Sequence, residues 1–198
     1  DSTTFNEAHW LKRVRYTDDT AVNELEIGGR NLLLNTKSDW QTFSGEGWGI
    51  VAFPIITAKI NETFTARCFV RNSNSPTPIT LEIHELNDAY QSVESYSKAV
   101  VNDVVELTIT TKNVNIAFLQ VNLFFGGNYP GQTYQYEYSK PKLERGNKAT
   151  DWTPAPEDVV AEINDAKQEA LSAASDAQTT ADSLKNFTDT AFRDGIID

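Results

Sequence analysis

The chain has 198 residues, a formal net charge of −11 and a single cysteine, Cys68. This length suits one domain with extensions, and a lone cysteine excludes an intrachain disulfide and a cysteine-rich zinc site. The acidity is concentrated at one end, since residues 30–154 hold 11 basic and 12 acidic residues and residues 155–198 hold 3 and 10. No basic patch and no long apolar run is evident, so we expect no nucleic-acid partner and no membrane insertion.

Residues 1–29 show no regular hydrophobic period, and we interpret them as a leader formed by the end of a preceding domain and a linker. Short segments of alternating apolar and polar residues follow, which is the period of half-buried β-strands. The glycine-rich segment 39–49 between the first two strands is predicted to be a loop, and Pro54 favours an edge or bulge in the second strand. The predicted strands cover residues 31–35, 50–56, 63–71, 79–85, 105–110, 117–123 and 133–139.

Short strands separated by turn signals, without helical patterns between them, predict an antiparallel β-sandwich over residues 30–154, with the jelly roll as the favoured subtype. The alternation places Cys68 inward and Phe69 and Phe118 outward. An error of one residue would reverse that assignment and place both phenylalanines in the core. Tyr134, Tyr136 and Tyr138 form the aromatic face of the last strand, and the glycines and prolines after it end regular pairing.

Residues 155–198 have a helical period and are predicted to form a coiled-coil stalk or a linker to the next segment. The apolar series follows the a/d spacing of a coiled coil, with Ile163, Ala166, Ala170, Ala173, Ala177, Thr180, Leu184, Phe187 and Ala191. Alanine buries little area, so this helix needs partners. A homotrimeric stalk is the first interpretation, and a single helix packed on a neighbouring domain is the second. Asp194-Gly195 is expected to end the helix.

The sequence contains no motif of a catalytic site. Of the two histidines, His9 lies in the leader and His84 on the polar face of a strand. No G-x-S-x-G, H-E-x-x-H or P-loop motif is present, so we expect no enzymatic activity and no cofactor.

Binding is the alternative that the residue types favour. Flat aromatic rings stack on sugar rings, while amides, carboxylates and arginine hydrogen-bond hydroxyl groups. Arg67 and Phe69 are additional outward-facing residues, and for each tryptophan a core position and a ligand contact both remain open. The candidate ligand-binding residues are Trp40, Trp48, Arg71, Glu82, His84, Tyr90, Phe118, Gln120, Asn122 and Tyr129.

Two segments carry a family resemblance. GGRNLLLNT at residues 28–36 and YSKPKLERGNKATDWTPAPED at residues 138–158 resemble the opening and closing signatures of jelly-roll modules in phage tail and minor structural proteins, which are similar to CenC-type carbohydrate-binding domains. The resemblance implies a virion protein of the phage tail, facing the exterior, that adheres to host surface polysaccharide and associates with itself and with other tail proteins. A structural spacer or docking domain of a tail fibre and an ancillary domain of a multidomain glycan hydrolase are the alternatives.

The signature residues are expected to close the fold and not to contact the ligand. Trp152 is expected to cover an end of the core, and Glu144 to pair with Arg30. The family also implies a structural calcium near the joined termini of many relatives, although no acidic loop of this chain matches a calcium motif. The remaining signature residues are Asn31, Leu143 and Asp151.

Overall fold

The structure is a computed structural model that describes residues 29–46, 49–125 and 131–195. Residues 1–28 of the predicted leader, Trp48 and Tyr129 lie outside the described residues. The chain divides into two compact units at Ala155 and Pro156. Nine strands and one helix lie in the described part: β1 (Gln41–Glu46), β2 (Gly49–Ala52), β3 (Ile56–Thr57), β4 (Thr63–Arg71), β5 (Ile79–Leu86), β6 (Ser92–Ala99), β7 (Val104–Thr110), β8 (Phe118–Phe125), β9 (Thr133–Arg145) and α1 (Pro156–Arg193).

The strands form two antiparallel sheets. One has the order β1-β9-β4-β7, and the other has the order β2-β8-β5-β6 with β3 also paired to β8. Buried apolar side chains of both sheets form one core cluster. Phe125 of one sheet meets Tyr134 of the other edge to face, with ring centroids 5.0 Å apart. The inner faces of the two sheets are therefore packed against each other, as in a β-sandwich.

The prediction that the tyrosines of the last strand form one aromatic face is confirmed, and that face points inward. Tyr136 is fully buried and stacks on Phe43 with ring centroids 5.0 Å apart. Cys68 is also buried, and burial raises the pKa of its thiol to about 12, so it packs as a small neutral residue. Phe69 and Phe118 lie outside the core cluster, so the predicted face assignment is correct.

Three local predictions are wrong. Residues 31–35 are not a strand, because the chain turns at Leu34 and Asn35, where Asn35 has a φ of 58°. The predicted loop 39–49 contains β1, since Phe43 finds a buried partner in Tyr136 that local sequence does not reveal. The predicted strand 50–56 is interrupted at Pro54, so β2 and β3 are separate.

The opening and closing signatures meet through Asn31, which is fully buried. Its side-chain Oδ1 accepts from the backbone N–H of Leu33 (3.1 Å) and of Leu143 (3.2 Å), and its Nδ2 donates to the carbonyls of Pro141 and Thr153 and to Thr36 Oγ1. The Leu32 N–H also donates to the Leu143 carbonyl at 2.8 Å. A single amide side chain thus joins three segments that are distant in sequence.

The closing segment carries a buried ion pair that differs from the expected one. Glu144 lies 3.3 Å from Lys142 Nζ and not against Arg30, and both of the paired side chains are almost fully buried. The Glu144 carboxylate also accepts from the N–H and hydroxyl of Thr150. Trp152 is half-buried and lies outside the core cluster, so it does not cover an end of the core. Its indole N–H donates to the Pro141 carbonyl at 3.2 Å.

Helix α1 ends at Arg193, before Asp194 and Gly195, as predicted. It begins with Pro156 followed by Glu157 and Asp158, a favourable residue order for a helix N-terminus. Large apolar side chains of the predicted seam are exposed, namely Ile163 (61%), Leu184 (65%) and Phe187 (67%). The structure therefore shows one helix whose large a/d side chains are exposed, and it does not demonstrate the predicted coiled coil.

Candidate functional site

Six of the predicted ligand-binding residues are brought together on the outer face of the five-stranded sheet. In β8 the even-numbered residues point outward because Leu119, Val121 and Leu123 are buried in the core. Glu82 is the register partner of Asn122, and His84 that of Gln120. We call the surface formed by Glu82, His84, Tyr90, Phe118, Gln120 and Asn122 the polar-aromatic face.

Two side chains of this face, Glu82 and His84, form a hydrogen-bonded row with Ser92 of β6. His84 Nε2 lies 3.2 Å from Glu82 Oε2, and His84 Nδ1 lies 3.2 Å from Ser92 Oγ. A hydroxyl, an imidazole and a carboxylate in line are also the components of a hydrolytic triad. Here, however, the Ser92 hydroxyl donates to the Glu94 carbonyl at 3.4 Å on an exposed strand. The row is suited to presenting donors and acceptors to a ligand with many hydroxyl groups.

An aromatic platform lies at one end of the face. The ring of Tyr90 stacks on that of Phe118, with centroids 4.9 Å apart and planes at 15°. Tyr90 is 61% exposed and has a φ of 59°. It is held by a tight turn in which Asn87 Oδ1 accepts from the N–H groups of Ala89 and Gln91, both at 3.0 Å. The turn thus keeps one large ring exposed beside the polar row.

The side-chain oxygen of Asn122, a member of this face, has no hydrogen-bond donor among the described residues. Asn122 is only 8% exposed, and this oxygen is buried. Buried polar atoms without partners are uncommon, because each costs about 1–3 kcal/mol. A hydroxyl donor reaching this amide would relieve that cost.

The other predicted residues do not join this face. Trp40 and Arg71 lie on the outer face of the four-stranded sheet, where the Arg71 guanidinium is 3.9 Å from the Trp40 ring centroid. Trp40 is 38% exposed and is not a core residue. Arg71 also pairs with Glu137 at 2.7 Å, which lowers the pKa of the Glu137 carboxyl. Trp48 and Tyr129 lie outside the described residues.

Ser92 is a member of the polar row that sequence reasoning missed. Strand β6, where it lies, was not predicted because its alternating residues are mostly polar on both sides. Its position becomes evident only from pairing with β5, in which Ser92 is the register partner of Leu86.

Within the described ranges, no three His, Cys, Asp or Glu side chains are grouped as metal ligands. The described part of the chain also contains no helix with the length and apolar character needed to cross a membrane.

No protein-family model and no curated protein matches this sequence. Among solved structures, a baseplate tripod of bacteriophage Tuc2009 is similar at 18% identity and a TM-score of 0.40, over 67% of this chain and 60% of that one. The tailspike protein 4 of bacteriophage CBA120 is similar at 10% identity and 0.36, over 58% of this chain and 21% of that one. A carbohydrate-binding module solved with β-1,4-galactotriose is similar at 10% identity and 0.33, over 59% and 99%. These TM-scores are too low to carry an argument about function.

Proposed function

We propose that this chain is a non-catalytic carbohydrate-binding module of a phage tail protein, with a jelly-roll sandwich that adheres to host surface saccharide through the polar-aromatic face. The observation that carries the proposal is the exposed Tyr90 ring, stacked on the half-buried Phe118, beside the Glu82–His84–Ser92 row. An aromatic plane next to a fixed row of donors and acceptors matches the apolar face and the hydroxyl edge of a pyranose. The resemblance of residues 28–36 and 138–158 to phage tail modules supports the placement on a virion.

The polar-aromatic face is tested by a Phe118→Ala variant of the full chain. The variant should bind host cell-wall polysaccharide about two- to tenfold more weakly, because an aromatic stacking contact contributes about 0.5–1.5 kcal/mol. Ile60→Ala is the matched control, since Ile60 is an exposed apolar residue in the turn before β4. Affinities are measured by titration calorimetry with fractions selected on a glycan array and by whole-cell pull-down.

Failure of the oligomeric wild-type chain to bind any host wall fraction would contradict the proposal. Release of shortened saccharide by the wild-type chain would contradict its non-catalytic part.

The exposed seam of α1 supports a second component of the proposal, a trimeric coiled coil that presents several modules together. Weak single sites gain avidity when they are linked. An Ile163→Asp/Leu184→Asp variant places two charges in the seam, so it should be monomeric with a folded sandwich if the wild type is a trimer. Gln168→Asp/Ser175→Asp is the control, because both positions lie outside the a/d series. The mass is measured by light scattering, and an unchanged assembly state in the seam variant would rule out this role of the helix.

The same exposed residues favour the alternative of a structural spacer. Seven apolar side chains of α1 are at least 37% exposed, which is typical of a surface that meets another subunit. The spacer alternative predicts assembly without saccharide binding, so the two measurements above separate it from the adhesion module.

A further inference from the structure

The outer face of the four-stranded sheet contains a cavity of about 360 Å³. Its base is formed by Arg67 and Phe69 of β4 together with Lys140 and Lys142 of β9, and residues 150–152 form its wall. This volume is at the lower end of the range for small-molecule sites and is suited to about one sugar residue. The cavity lies on the sheet opposite to the polar-aromatic face, so the two surfaces are separate.

Cationic side chains converge in this cavity. The guanidinium carbon of Arg67 is 5.0 Å from the Phe69 ring centroid, and Lys140 Nζ is 5.8 Å from the same centroid. Arg67 is also the direct cross-strand partner of Lys142. Like charges placed directly opposite in a sheet are destabilising, and Glu144 neutralises only the Lys142 side of this pair, at 3.3 Å.

Glu106 of β7 is the register partner of Arg67 on its other side, but the two side chains form no ion pair. Glu144 is engaged by Lys142 and Thr150. Asp151 is an acidic residue of the cavity wall, so the lining carries three cationic side chains and one carboxylate. Arg67 forms no ion pair with any described residue, and its Nε is buried without an acceptor. Arg71 of the same strand, in contrast, is paired with Glu137. Arg67 thus lines the cavity without a carboxylate partner, and arginine side chains bind oxyanions strongly.

We propose that this cavity binds an oxyanion carried on a sugar-sized body, with Arg67 and Lys140 holding the anion and the rings of Phe69 and Trp152 bordering the sugar. A hexuronate carboxylate and the phosphate of a sugar ester share this chemistry. The ligand is therefore an acidic saccharide unit. Its binding in the cavity does not depend on which saccharide binds to the polar-aromatic face.

The experiment is an NMR titration of the ¹⁵N-labelled full chain with millimolar D-glucuronate, D-glucose 6-phosphate, inorganic phosphate and D-glucose. We expect one or both sugar anions to shift the amide signals of residues 67–69, 140–142 and 150–152, whereas neutral D-glucose leaves them unchanged. Which of the two anions binds more tightly distinguishes the carboxylate from the phosphate ester. Raising the salt concentration should weaken binding, because the contacts are charge-assisted.

Arg67→Gln should weaken that binding at least about tenfold, since it removes a hydrogen bond to a charged group. Arg145→Gln is the matched control, because Arg145 is exposed, is paired with Glu62 and does not line the cavity. Lys140→Gln is a second test at an exposed position, so the result does not depend on how Arg67→Gln folds. The proposal is overturned if neither sugar anion shifts these signals, if inorganic phosphate alone does so, or if both cavity variants bind like the control.

Discussion

Replacing Asn31 by alanine should lower the free energy of unfolding of the sandwich by about 3–5 kcal/mol. The substitution removes the acceptor of the Leu33 and Leu143 N–H groups and the donor to the Pro141 and Thr153 carbonyls. Each buried backbone group left without a partner costs about 1–3 kcal/mol, and a small cavity adds to the loss. Since a domain is stable by only about 5–15 kcal/mol, this is a large fraction of the total.

The measurement is urea unfolding followed by tryptophan fluorescence. Far-UV circular dichroism is less suitable, because helix α1 dominates that signal. The midpoint should fall while the slope with urea is retained. Asn115→Ala is the control, because Asn115 is exposed and its own N–H rather than its side chain bonds to Asn113. If both variants unfold at the same midpoint, Asn31 does not join the two ends of the module.

Removing Glu144 alone should have a comparable effect. In a Glu144→Leu variant the ammonium group of Lys142 stays buried without its carboxylate, and Thr150 loses the acceptor of its N–H. Breaking one half of a buried ion pair typically costs 3–5 kcal/mol, whereas replacing both halves by apolar side chains is often close to neutral. We therefore expect a loss of about 3–5 kcal/mol in the single variant.

The double variant Lys142→Met/Glu144→Leu is the decisive comparison. It removes both charges, so it should recover part of the stability lost in Glu144→Leu, although Thr150 remains without its acceptor. The same urea series gives the coupling energy between the two positions. If the stability losses of the two single variants add up to the loss of the double variant, the ion pair contributes nothing beyond the separate contacts of its two side chains.

The strands with strict alternation were predictable from the sequence. Thr63–Arg71 was predicted with its observed bounds, and the outward position of Phe118 was correct. In these strands the apolar side chains of one face supply enough buried area to determine the register. The helix and its end at Asp194-Gly195 were predictable for a similar local reason, since period, acidic first turn and terminal glycine all lie within the segment.

The edge strands and the partners of polar residues were decided by the tertiary structure. Strand β6 is mostly polar, and β1 has Phe43 as its one apolar side chain, so each is recognised only through the strand that pairs with it. Alternation places Glu82, His84 and Phe118 on an outer face but does not show that their strands are neighbours. That neighbourhood arises from the β5–β8 register, which joins residues about 40 positions apart.

The sequence by itself therefore determined the class of fold, the single aromatic face of the last strand and the helical segment, because each follows from local hydrophobic period. The tertiary structure decided which charges meet. Glu144 faces Lys142 and not Arg30, Trp40 stacks under Arg71, and Arg67 has a buried donor without an acceptor. Which charged side chains pair depends on the distance between them across neighbouring strands. The hydrophobic period of the sequence contains no information about that distance.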